Sequence, residues 1–390
     1  MKILVICQHY YPEPIRIADF CETLVERGHE VDVVCGVPNY PMGVIYEEYR
    51  RGKKREETLN GVHIKRTFTI GRRTGAFFRL LNYYSFAFSS TRYVSKLKKQ
   101  YDVVFVNQLS PVMMACAGVK YAKKHHTKLV YYCLDLWPES LMAGGIKRGS
   151  FIYRVFDKIS AKLYSRADKI LVTSKNFIPY FTEHFGIDAN KLSYLPQYAE
   201  DCFEPQPLPQ KDTVDLTFAG NIGAAQSVET IIRAAAELKE IQNLRFHIVG
   251  DGSSSEACKQ LASELHAQNV IFHGRKPIEE MPAFYAKSDA MLVTLCADPF
   301  ISRTLPGKVQ TYMAAGKPII ASANGETAQT IHDAACGLCA PAEDPHALAE
   351  QIKTFLQSDR TAFSQNAADF YKINFQKESF ITRLLDELNV

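Results

Sequence analysis

Short, almost wholly apolar runs alternate with amphipathic segments from the first residues of this 390-residue chain. Strand-like runs occupy residues 2–7, 30–34, 62–67, 103–107, 129–134 and 169–173, and a helix is predicted over about 17–27. Strands that alternate with helices form parallel sheets with crossover connections. Because the runs are nearly all apolar rather than alternating, helices are expected on both faces of the sheet. The pattern therefore predicts a doubly wound α/β domain.

The alternation is interrupted between about residues 195 and 212, where prolines cluster with acidic and polar residues. Strands are then predicted at 214–219, 245–250, 270–273, 290–295 and 318–321, with helices near 228–240, 279–287 and 308–315. A chain of this length exceeds one hydrophobic core. We therefore predict a Rossmann-like N-terminal domain, 1–198, and a second, 199–365. A long amphipathic helix follows, and its residues 366–390 are predicted to pack back on the first domain.

Composition narrows the class of protein further. The chain is 46% hydrophobic and 23% charged, which is typical of a globular protein and excludes long disordered tracts. The apolar run after Lys2 indicates a strand rather than a signal peptide, and no run approaches the roughly 18 residues of a membrane span. Ten cysteines in apolar contexts indicate a reducing, cytoplasmic location. Cys336 and Cys339 are interpreted as packing residues, and no metal site is predicted.

Several strands of the second domain end in glycine-bearing turns. Glycine allows the backbone to approach a ligand, and the exposed amides at a strand end favour a phosphate. Each turn alone is also compatible with a simple tight turn, and the GxGxxG fingerprint of nicotinamide enzymes does not occur. The nucleotide-binding candidates in these turns are Gly220, Asn221, Gly250, Asp251, Gly252 and Arg275. Asp251 could equally shape its own turn, and Arg275 could form a surface ion pair.

The most informative segment, residues 305–320, reads LPGKVQTYMAAGKPII. It resembles the signature of family 4 glycosyltransferases, in which a turn and a helix beneath the nucleotide sugar precede Gly-x-Pro and a strand. FAGNIG at 218–223, IVGDG at 248–252, SDAMLV at 288–293, RGHEV at 27–31 and DLWPES at 135–140 match the same family in order. The resemblance implies a GT-B fold, with two Rossmann-like domains facing across a cleft. It also implies metal-independent, retaining transfer from a nucleotide sugar.

The chain departs from the family at two positions. Relatives usually carry two glutamates that contact the sugar and the ribose, whereas this sequence has Arg303 and Thr311. The departure resembles the branch that transfers N-acetylated amino-sugars or deoxyamino-sugars in capsule, O-antigen and exopolysaccharide synthesis. Lys308 is retained, and a cation there would stabilise the departing diphosphate. A solvated helix lysine and an exposed turn arginine are the alternative interpretations of Lys308 and Arg303.

Candidate residues of the first domain lie at predicted strand ends. Arg16, at the start of the first helix, is a second candidate for a phosphate contact. His9 and Glu13, in the loop before it, are candidates for acceptor contacts. Asp135 follows an apolar strand and could accept the proton of the acceptor hydroxyl or orient the acceptor. Glu139 could contact the acceptor or cap a helix. The resemblance implies that the leaving phosphate itself assists deprotonation, so a dedicated base could be absent.

Charge is concentrated in one part of the first domain. The net charge is +4, yet residues 50–99 contain fourteen lysines and arginines and two glutamates. Within them, 72–99 combines cations with aromatic residues, a pattern that suits an interfacial helix on anionic lipid. Part of the aromatic set could instead be core. We therefore predict a peripheral protein on the inner face of the cell membrane, and nucleic-acid binding is the rejected alternative.

Together these features predict a retaining transferase that moves a sugar from UDP to a lipid-linked saccharide acceptor on polyprenyl diphosphate. The sugar is expected to be an N-acetylated hexosamine or deoxyhexosamine, and no cofactor is predicted. UDP follows from the resemblance alone. Two alternatives remain open: a UDP-sugar epimerase of the same architecture, and a non-catalytic nucleotide-sugar scaffold, which the missing glutamates would suit.

Overall fold

The computed structural model of the protein describes residues 1–73 and 75–389, which divide into two compact units. The first unit contains the chain up to Thr173, Phe177–Leu195 and the residues from Ile381 onward. The second contains Ser174–Asn176 and Pro196–Phe380. The second unit thus begins three residues before the predicted boundary, and it includes a short segment that follows a strand of the first unit.

An eight-stranded sheet forms the centre of the first unit, in the order β3-β4-β2-β1-β5-β6-β7-β8. All neighbours are parallel except β3 and β4. The inner strands are buried along nearly their whole length, as the apolar runs predicted. The strands are β1 Lys2–Ile6, β2 Glu30–Cys35, β3 Glu56–Leu59, β4 Val62–Arg66, β5 Val103–Gln108, β6 Lys128–Cys133, β7 Lys169–Val172 and β8 Leu192–Tyr194.

The helices of the first unit pack on this sheet through apolar stripes. In α1, Ile17, Phe20, Cys21 and Leu24 are buried, at the spacing that places residues on one helical face. Helix α4 begins at a Ser150 cap, whose side chain accepts the Tyr153 N–H. The helices are α1 Ile17–Glu26, α2 Ala76–Val94, α3 Cys116–His125, α4 Phe151–Tyr164 and α5 Phe177–Phe185.

The second unit is built on a parallel six-stranded sheet in the order β11-β10-β9-β12-β13-β14. Alternate residues of its strands enter two core layers, so that Leu292 packs in one and Val293 in the other. The strands are β9 Val214–Ala219, β10 Leu244–Val249, β11 Val270–Gly274, β12 Ala290–Thr294, β13 Ile319–Ser322 and β14 Gly337–Ala340. The helices are α6 Val228–Glu237, α7 Ser255–Glu264, α8 Met281–Lys287, α9 Gly307–Ala314, α10 Glu326–Asp333, α11 Pro345–Leu356 and α12 Arg360–Asn374.

The prediction of a single C-terminal helix over 366–390 is wrong. The segment forms two helices, α12 and α13 Lys377–Leu388, which are interrupted at Phe375. The Phe375 ring is buried against Phe370, and its backbone leaves helical geometry. Helix α12 belongs to the second unit, whereas the residues from Ile381 onward belong to the first, where Glu387 pairs with Lys169.

Within the described ranges, 1–73 and 75–389, no helix has both the length and the apolarity needed to cross a membrane. The cysteines are free, and Cys336 is buried while Cys339 is half-buried.

Candidate active site

The strand order of the second unit fixes where a ligand can bind. From β9 the chain crosses to β10 on one side, and from β12 it crosses to β13 on the other. This is the strand order of dinucleotide-binding Rossmann sheets, in which ligands bind outside the carboxyl ends of the strands at the point of reversal. A ligand site is therefore expected at the loops after β9 and β12.

Three glycine turns pack directly on one another at the carboxyl ends of β9, β10 and β11. The Gly250 N–H donates to the Gly274 carbonyl, and the Gly220 N–H donates to the Val249 carbonyl, both at 2.9 Å. Gly220 and Gly250 have φ values of 143° and 149°, which side chains disfavour. A Cβ on Gly250 would lie 1.8 Å from the Gly220 oxygen. Glycine is therefore required at 220 and 250, where the turns after β9 and β10 stack.

The ammonium of Lys308, in the first turn of α9, is buried beside this stack. Nζ lies 3.9 Å from the centre of the Phe218 ring, and a Cβ on Gly220 would be 3.0 Å from it. Nζ has no hydrogen-bond partner within the described part of the chain. Burial lowers the pKa of Lys308 to about 7. An unpaired buried cation is costly unless a charged partner is expected at the site, so the arrangement suits a bound anion.

Tyr312, one helical turn after Lys308, attaches α9 to the strand below it. Its hydroxyl accepts the Ala219 N–H and donates to the Ala219 carbonyl, both at 3.0 Å. These bonds satisfy the backbone of the last residue of β9, immediately before Gly220. Tyr312 therefore fixes the position of Lys308 against the turn. This role could not be predicted from the sequence, because a tyrosine in an apolar helix is usually a packing residue.

Arg303 and Thr311 lie on either side of Lys308 in sequence. The Arg303 guanidinium donates to the Asn176 carbonyl at 3.5 Å, and the Arg303 carbonyl accepts the Ser174 hydroxyl. The Thr311 hydroxyl donates to the Gly307 carbonyl at 2.9 Å and is buried. Arg303 thus contacts the segment 174–176, and Thr311 bonds within the first turn of α9. Their contact with a sugar or a ribose stays a prediction.

Of the remaining predicted residues of this unit, Asn221, Asp251 and Arg275 are exposed and Gly252 is half-buried. The Asp251 carboxylate accepts the Gly252 N–H at 2.8 Å, so it shapes its own turn. A Cβ on Gly252 would lie 2.4 Å from the Ile222 oxygen and 2.8 Å from Asn221 Oδ1. Asn221 therefore lies over the contact between two turns. Arg275 is exposed and follows β11, which is the edge strand.

In the first unit, Glu13 links the loops that follow β1 and β2. One carboxylate oxygen accepts the N–H groups of Asn39 and Tyr40, at 2.7 and 2.6 Å. The other accepts the Tyr10 N–H at 3.1 Å and lies 3.0 Å from His9 Nδ1. Glu13 and His9 are both buried. The carboxylate therefore holds two loops together, and an acceptor contact by either residue stays a prediction.

Because a carboxylate accepts at both oxygens, Glu13→Gln should destabilise this unit. The amide NH₂ would face a backbone N–H, and one buried donor would lose its partner. We expect a loss of about 1–3 kcal/mol, measured as the shift in chemical unfolding. Glu26→Gln, on the exposed end of α1, is the matched control. Equal stability of the two variants would contradict the loop-linking role.

Asp135 lies just beyond the carboxyl end of β6, as predicted. Its Oδ2 accepts the side-chain hydroxyl of Ser110 at 3.0 Å and the Ser110 N–H at 3.3 Å. Burial raises the pKa of Asp135, while these bonds oppose the shift. A fixed carboxylate with a raised pKa is suited to accepting a proton or orienting a hydroxyl. Ser110 was not predicted, since it follows a different strand, 25 residues away.

Glu139 is held by residues of the first unit, and it does not cap a helix. Oε1 accepts the hydroxyls of Tyr153 at 2.7 Å and Tyr180 at 3.0 Å, and it lies 3.4 Å from an Arg148 nitrogen. Glu139 is buried, and its Oε2 has no partner in the described ranges. The residue therefore connects the loop after β6 to α4 and α5.

Arg16 precedes α1 at the helix-start position, where it is half-buried. Burial raises the pKa of Tyr132, and the Arg16 guanidinium opposes that shift, which places Arg16 near the end of β6. Arg16 and Asp135 thus belong to one edge of the first sheet, and Lys308 and the glycine turns to one edge of the second. No group of three His, Cys, Asp or Glu side chains in residues 1–73 and 75–389 could hold a metal ion.

Comparison with known proteins agrees with this architecture. A family model described as Glycosyltransferase Family 4 matches residues 15–197, and one described as Glycosyl transferases group 1 matches residues 213–358. A solved structure of Anabaena Alr3699/HepE in complex with UDP has a TM-score of 0.72 at 14% identity, over 100% of this chain and 99% of that one. Two Rossmann-like units with this likeness define a glycosyltransferase of the GT-B fold. The two family models together identify the chain as a glycosyltransferase whose N-terminal half matches family 4.

Two relatives that are similar in sequence are also named as glycosyltransferases. The chain is 28% identical to the probable glycosyltransferase WbjE of Pseudomonas aeruginosa, over 63% of this chain and 66% of that protein. It is 22% identical to the putative colanic acid biosynthesis glycosyl transferase WcaI of Escherichia coli, over 100% of both. The predicted class of enzyme, a glycosyltransferase, is confirmed.

Proposed function

We propose that this enzyme transfers a sugar from UDP to a lipid-linked saccharide, with retention of configuration, in the synthesis of a bacterial surface polysaccharide. The observation that carries the proposal is the buried, unpaired Lys308 ammonium beside the Gly220 turn. The HepE complex with UDP and the name of the WcaI relative support the donor and the pathway class. The position of Arg303 and Thr311 in place of two glutamates favours an N-acetylated hexosamine or deoxyhexosamine as the sugar.

The proposed chemistry needs positive charge where the nucleoside diphosphate leaves. As the bond from the anomeric carbon to the phosphate oxygen breaks, negative charge develops on the diphosphate. Lys308, whose ammonium is buried beside the stacked turns, would stabilise that charge. No metal is required in this scheme. The leaving phosphate would take the acceptor proton on the face from which the acceptor attacks, so that configuration is retained.

Asp135 is proposed to orient the acceptor hydroxyl. Asp135→Asn should therefore lower kcat by about tenfold or more, because its NH₂ would face either the Ser110 donors or the acceptor hydroxyl. The raised pKa of Asp135 also predicts that the rate of transfer falls on acidification. In Asp135→Asn this fall at low pH should be absent. Rates of transfer across pH would test both points. Unchanged kcat and an unchanged pH profile would exclude Asp135 from the reaction.

The acceptor and the location are proposed from the outer face of α2. Phe77, Leu80, Tyr84 and Phe88 recur on that face and are exposed by 66%, 41%, 47% and 73%. Exposed aromatic residues beside a strongly basic segment suit the headgroup region of an anionic bilayer. We propose that the protein docks peripherally on the inner face of the cell membrane, where a lipid-linked acceptor is available.

Replacing Phe77, Leu80 and Phe88 together by serine should weaken binding to vesicles of phosphatidylethanolamine and phosphatidylglycerol by about tenfold or more. Sedimentation with vesicles gives the bound fraction. Phosphatidylcholine vesicles are the neutral control. If the parent and the variant sediment equally, α2 is not the docking surface. Salt-dependent binding of nucleic acid by the parent would favour the rejected alternative.

The test of the function itself is a donor screen. Purified enzyme is incubated with labelled UDP-sugars, with and without lipid-linked saccharide, and the products are separated and examined by NMR. Acceptor-dependent transfer with retained anomeric configuration is the expected result. Isomerised UDP-sugar without acceptor would identify an epimerase. Tight UDP-sugar binding with neither product would identify a scaffold.

A further inference from the structure

Helix α4 exposes a second apolar surface on the first unit. Phe151, Ile152 and Val155 are exposed by 82%, 51% and 40%, whereas Tyr153 and Phe156 of the same helix are buried. Three large apolar side chains in the first turns of one helix form a contiguous patch rather than the scattered exposure that is normal for surfaces. The patch therefore needs an explanation beyond packing.

Cations surround this patch. Arg154 lies within it, Lys147 precedes it, and Lys158 and Lys162 continue the outer face of α4, all of them exposed. Among the acidic residues, Asp157 is hydrogen-bonded to His184 at 2.7 Å and Glu139 is buried, so the exposed side of α4 is mainly cationic. Apolar residues flanked by exposed cations match the chemistry of an anionic lipid surface.

Both α4 and α2 pack on the ring of Trp137. The Tyr83 ring of α2 lies 6.4 Å from it and the Phe156 ring of α4 lies 5.7 Å from it, each edge-on. These are buried side chains of the two helices. The exposed apolar residues of α2 and α4 therefore lie on the outer sides of two helices that share one buried contact. Trp137 is also two residues beyond Asp135, so both helices flank the loop that follows β6.

We propose that α4 is a second bilayer-contacting element, which acts with α2 to hold the carboxyl edge of the first sheet against an anionic membrane. The inference rests on the proposed docking of α2. Its consequence is that the saccharide of a lipid-linked acceptor is presented near Asp135 while its lipid stays in the bilayer. Two anchors fix the orientation of the unit on the membrane, which one helix alone would leave free to rotate about its axis.

A second copy of this chain is a less suitable occupant of the patch. A two-fold contact would place the same surface against itself. Arg154, Lys158 and Lys162 would then face their own equivalents, and repulsion between these cations would oppose the pairing. A bilayer that contains anionic lipid supplies the opposite charge over the whole surface.

The first experiment compares three variants in the full chain. Phe151, Ile152 and Val155 are replaced together by serine in one, and Phe77, Leu80 and Phe88 in another. The matched control is Ile373→Ser, which removes an apolar side chain exposed by 71% on α12 of the second unit. The affinity of the α4 variant for phosphatidylethanolamine and phosphatidylglycerol vesicles should fall by about tenfold or more. The control should bind as the parent does. Thermal unfolding verifies that each variant is folded.

The second experiment tests directly whether α4 lies in the bilayer. It keeps an aromatic side chain at position 151, so the apolar surface of the helix is retained. Phe151→Trp adds a second tryptophan to a chain that has one, the buried Trp137. Bromine-labelled phosphatidylglycerol in the vesicles should quench the emission of this variant, whereas Ile373→Trp should not be quenched. Equal quenching of the two variants would overturn the inference.

The outcomes separate the two proposals. Loss of binding in the α2 variant with parent-like binding in the α4 variant would overturn the role of α4 and leave α2 in place. If the parent protein does not bind anionic vesicles, the proposed bilayer contacts of both α2 and α4 are wrong. The donor screen would still test sugar transfer independently. If the parent protein is dimeric in solution and the α4 variant is monomeric, the proposed contact of α4 with the bilayer is wrong. A second copy of the chain would then occupy the patch.

Discussion

Lys308→Met should slow sugar transfer by about 100- to 1000-fold, the typical effect of removing one group that stabilises charge in a transition state. It should also weaken UDP binding. Methionine keeps the length and apolar contacts of the side chain over the Phe218 ring, so the change removes the charge and little else. Initial rates with UDP-sugar and acceptor give the first effect, and titration with UDP gives the second.

The same substitution should make the unliganded protein more stable at neutral pH. Lys308 Nζ is buried without a partner, and its pKa of about 7 is lower than the ordinary value of 10.5. Below pH 7 both folded and unfolded chains bind the proton, and the full cost of burying the charge is present. Between pH 7 and 10.5 the unfolded chain binds more protons, so stability rises with pH. The variant should lack this rise.

UDP should raise the pKa of Lys308, because an opposite charge favours the ammonium. Binding at pH 8 should therefore take up a proton, which calorimetry in buffers of different ionisation enthalpy detects. In Lys308→Met the uptake should disappear. A parent that binds UDP with no proton uptake at pH 8 would contradict contact between Lys308 and the diphosphate.

Lys317→Met is the matched control for these experiments. Lys317 is a fully buried lysine of the same unit, and burial lowers its pKa to about 8. Its Nζ, however, donates to the Pro207 carbonyl at 3.2 Å. Its replacement should therefore reduce stability and leave the rate of transfer close to that of the parent. If both substitutions slow transfer equally, the loss reflects a general disturbance of the unit rather than the diphosphate contact.

The strands of the second sheet could be predicted from the sequence. Helices cover both faces of a parallel sheet, so its strands appear as short apolar runs. Strand β9 has the bounds that the sequence predicted, and the glycine turns after β9 and β10 follow their strands directly. Strand β3 was missed, since it is a half-exposed edge strand with charged residues and no apolar period. The break at Phe375 was missed because its aromatic ring continues the amphipathic pattern of the two helices.

The partners of the site residues could not be predicted from the sequence. Glu13 binds backbone groups 26 and 27 residues away, and Tyr312 binds Ala219 across 93 residues. Such contacts depend on which strands become neighbours. Short sequence motifs do not predict them. The sequence could place Lys308 at the start of a helix after a strand. That its ammonium is buried and unpaired emerges only when β9 and α9 are packed together.

Gly250→Ala should strongly destabilise the second unit. The added Cβ would lie 1.8 Å from the Gly220 oxygen, at a φ of 149° that alanine disfavours. Either turn must move, and both carry backbone groups of the proposed phosphate site. We expect a loss of about 3 kcal/mol or more, together with loss of UDP binding. Thermal unfolding with and without UDP measures both effects.

Gly274→Ala separates backbone strain from the steric clash. Gly274 has a φ of 67°, and a Cβ there would meet no atom within 4 Å. Left-handed backbone alone should cost alanine about 1–2 kcal/mol, and UDP binding should persist. If Gly250→Ala were no more harmful than Gly274→Ala, the turns after β9 and β10 would not need to stack. Lys308 would then lack the fixed backbone against which its ammonium is held.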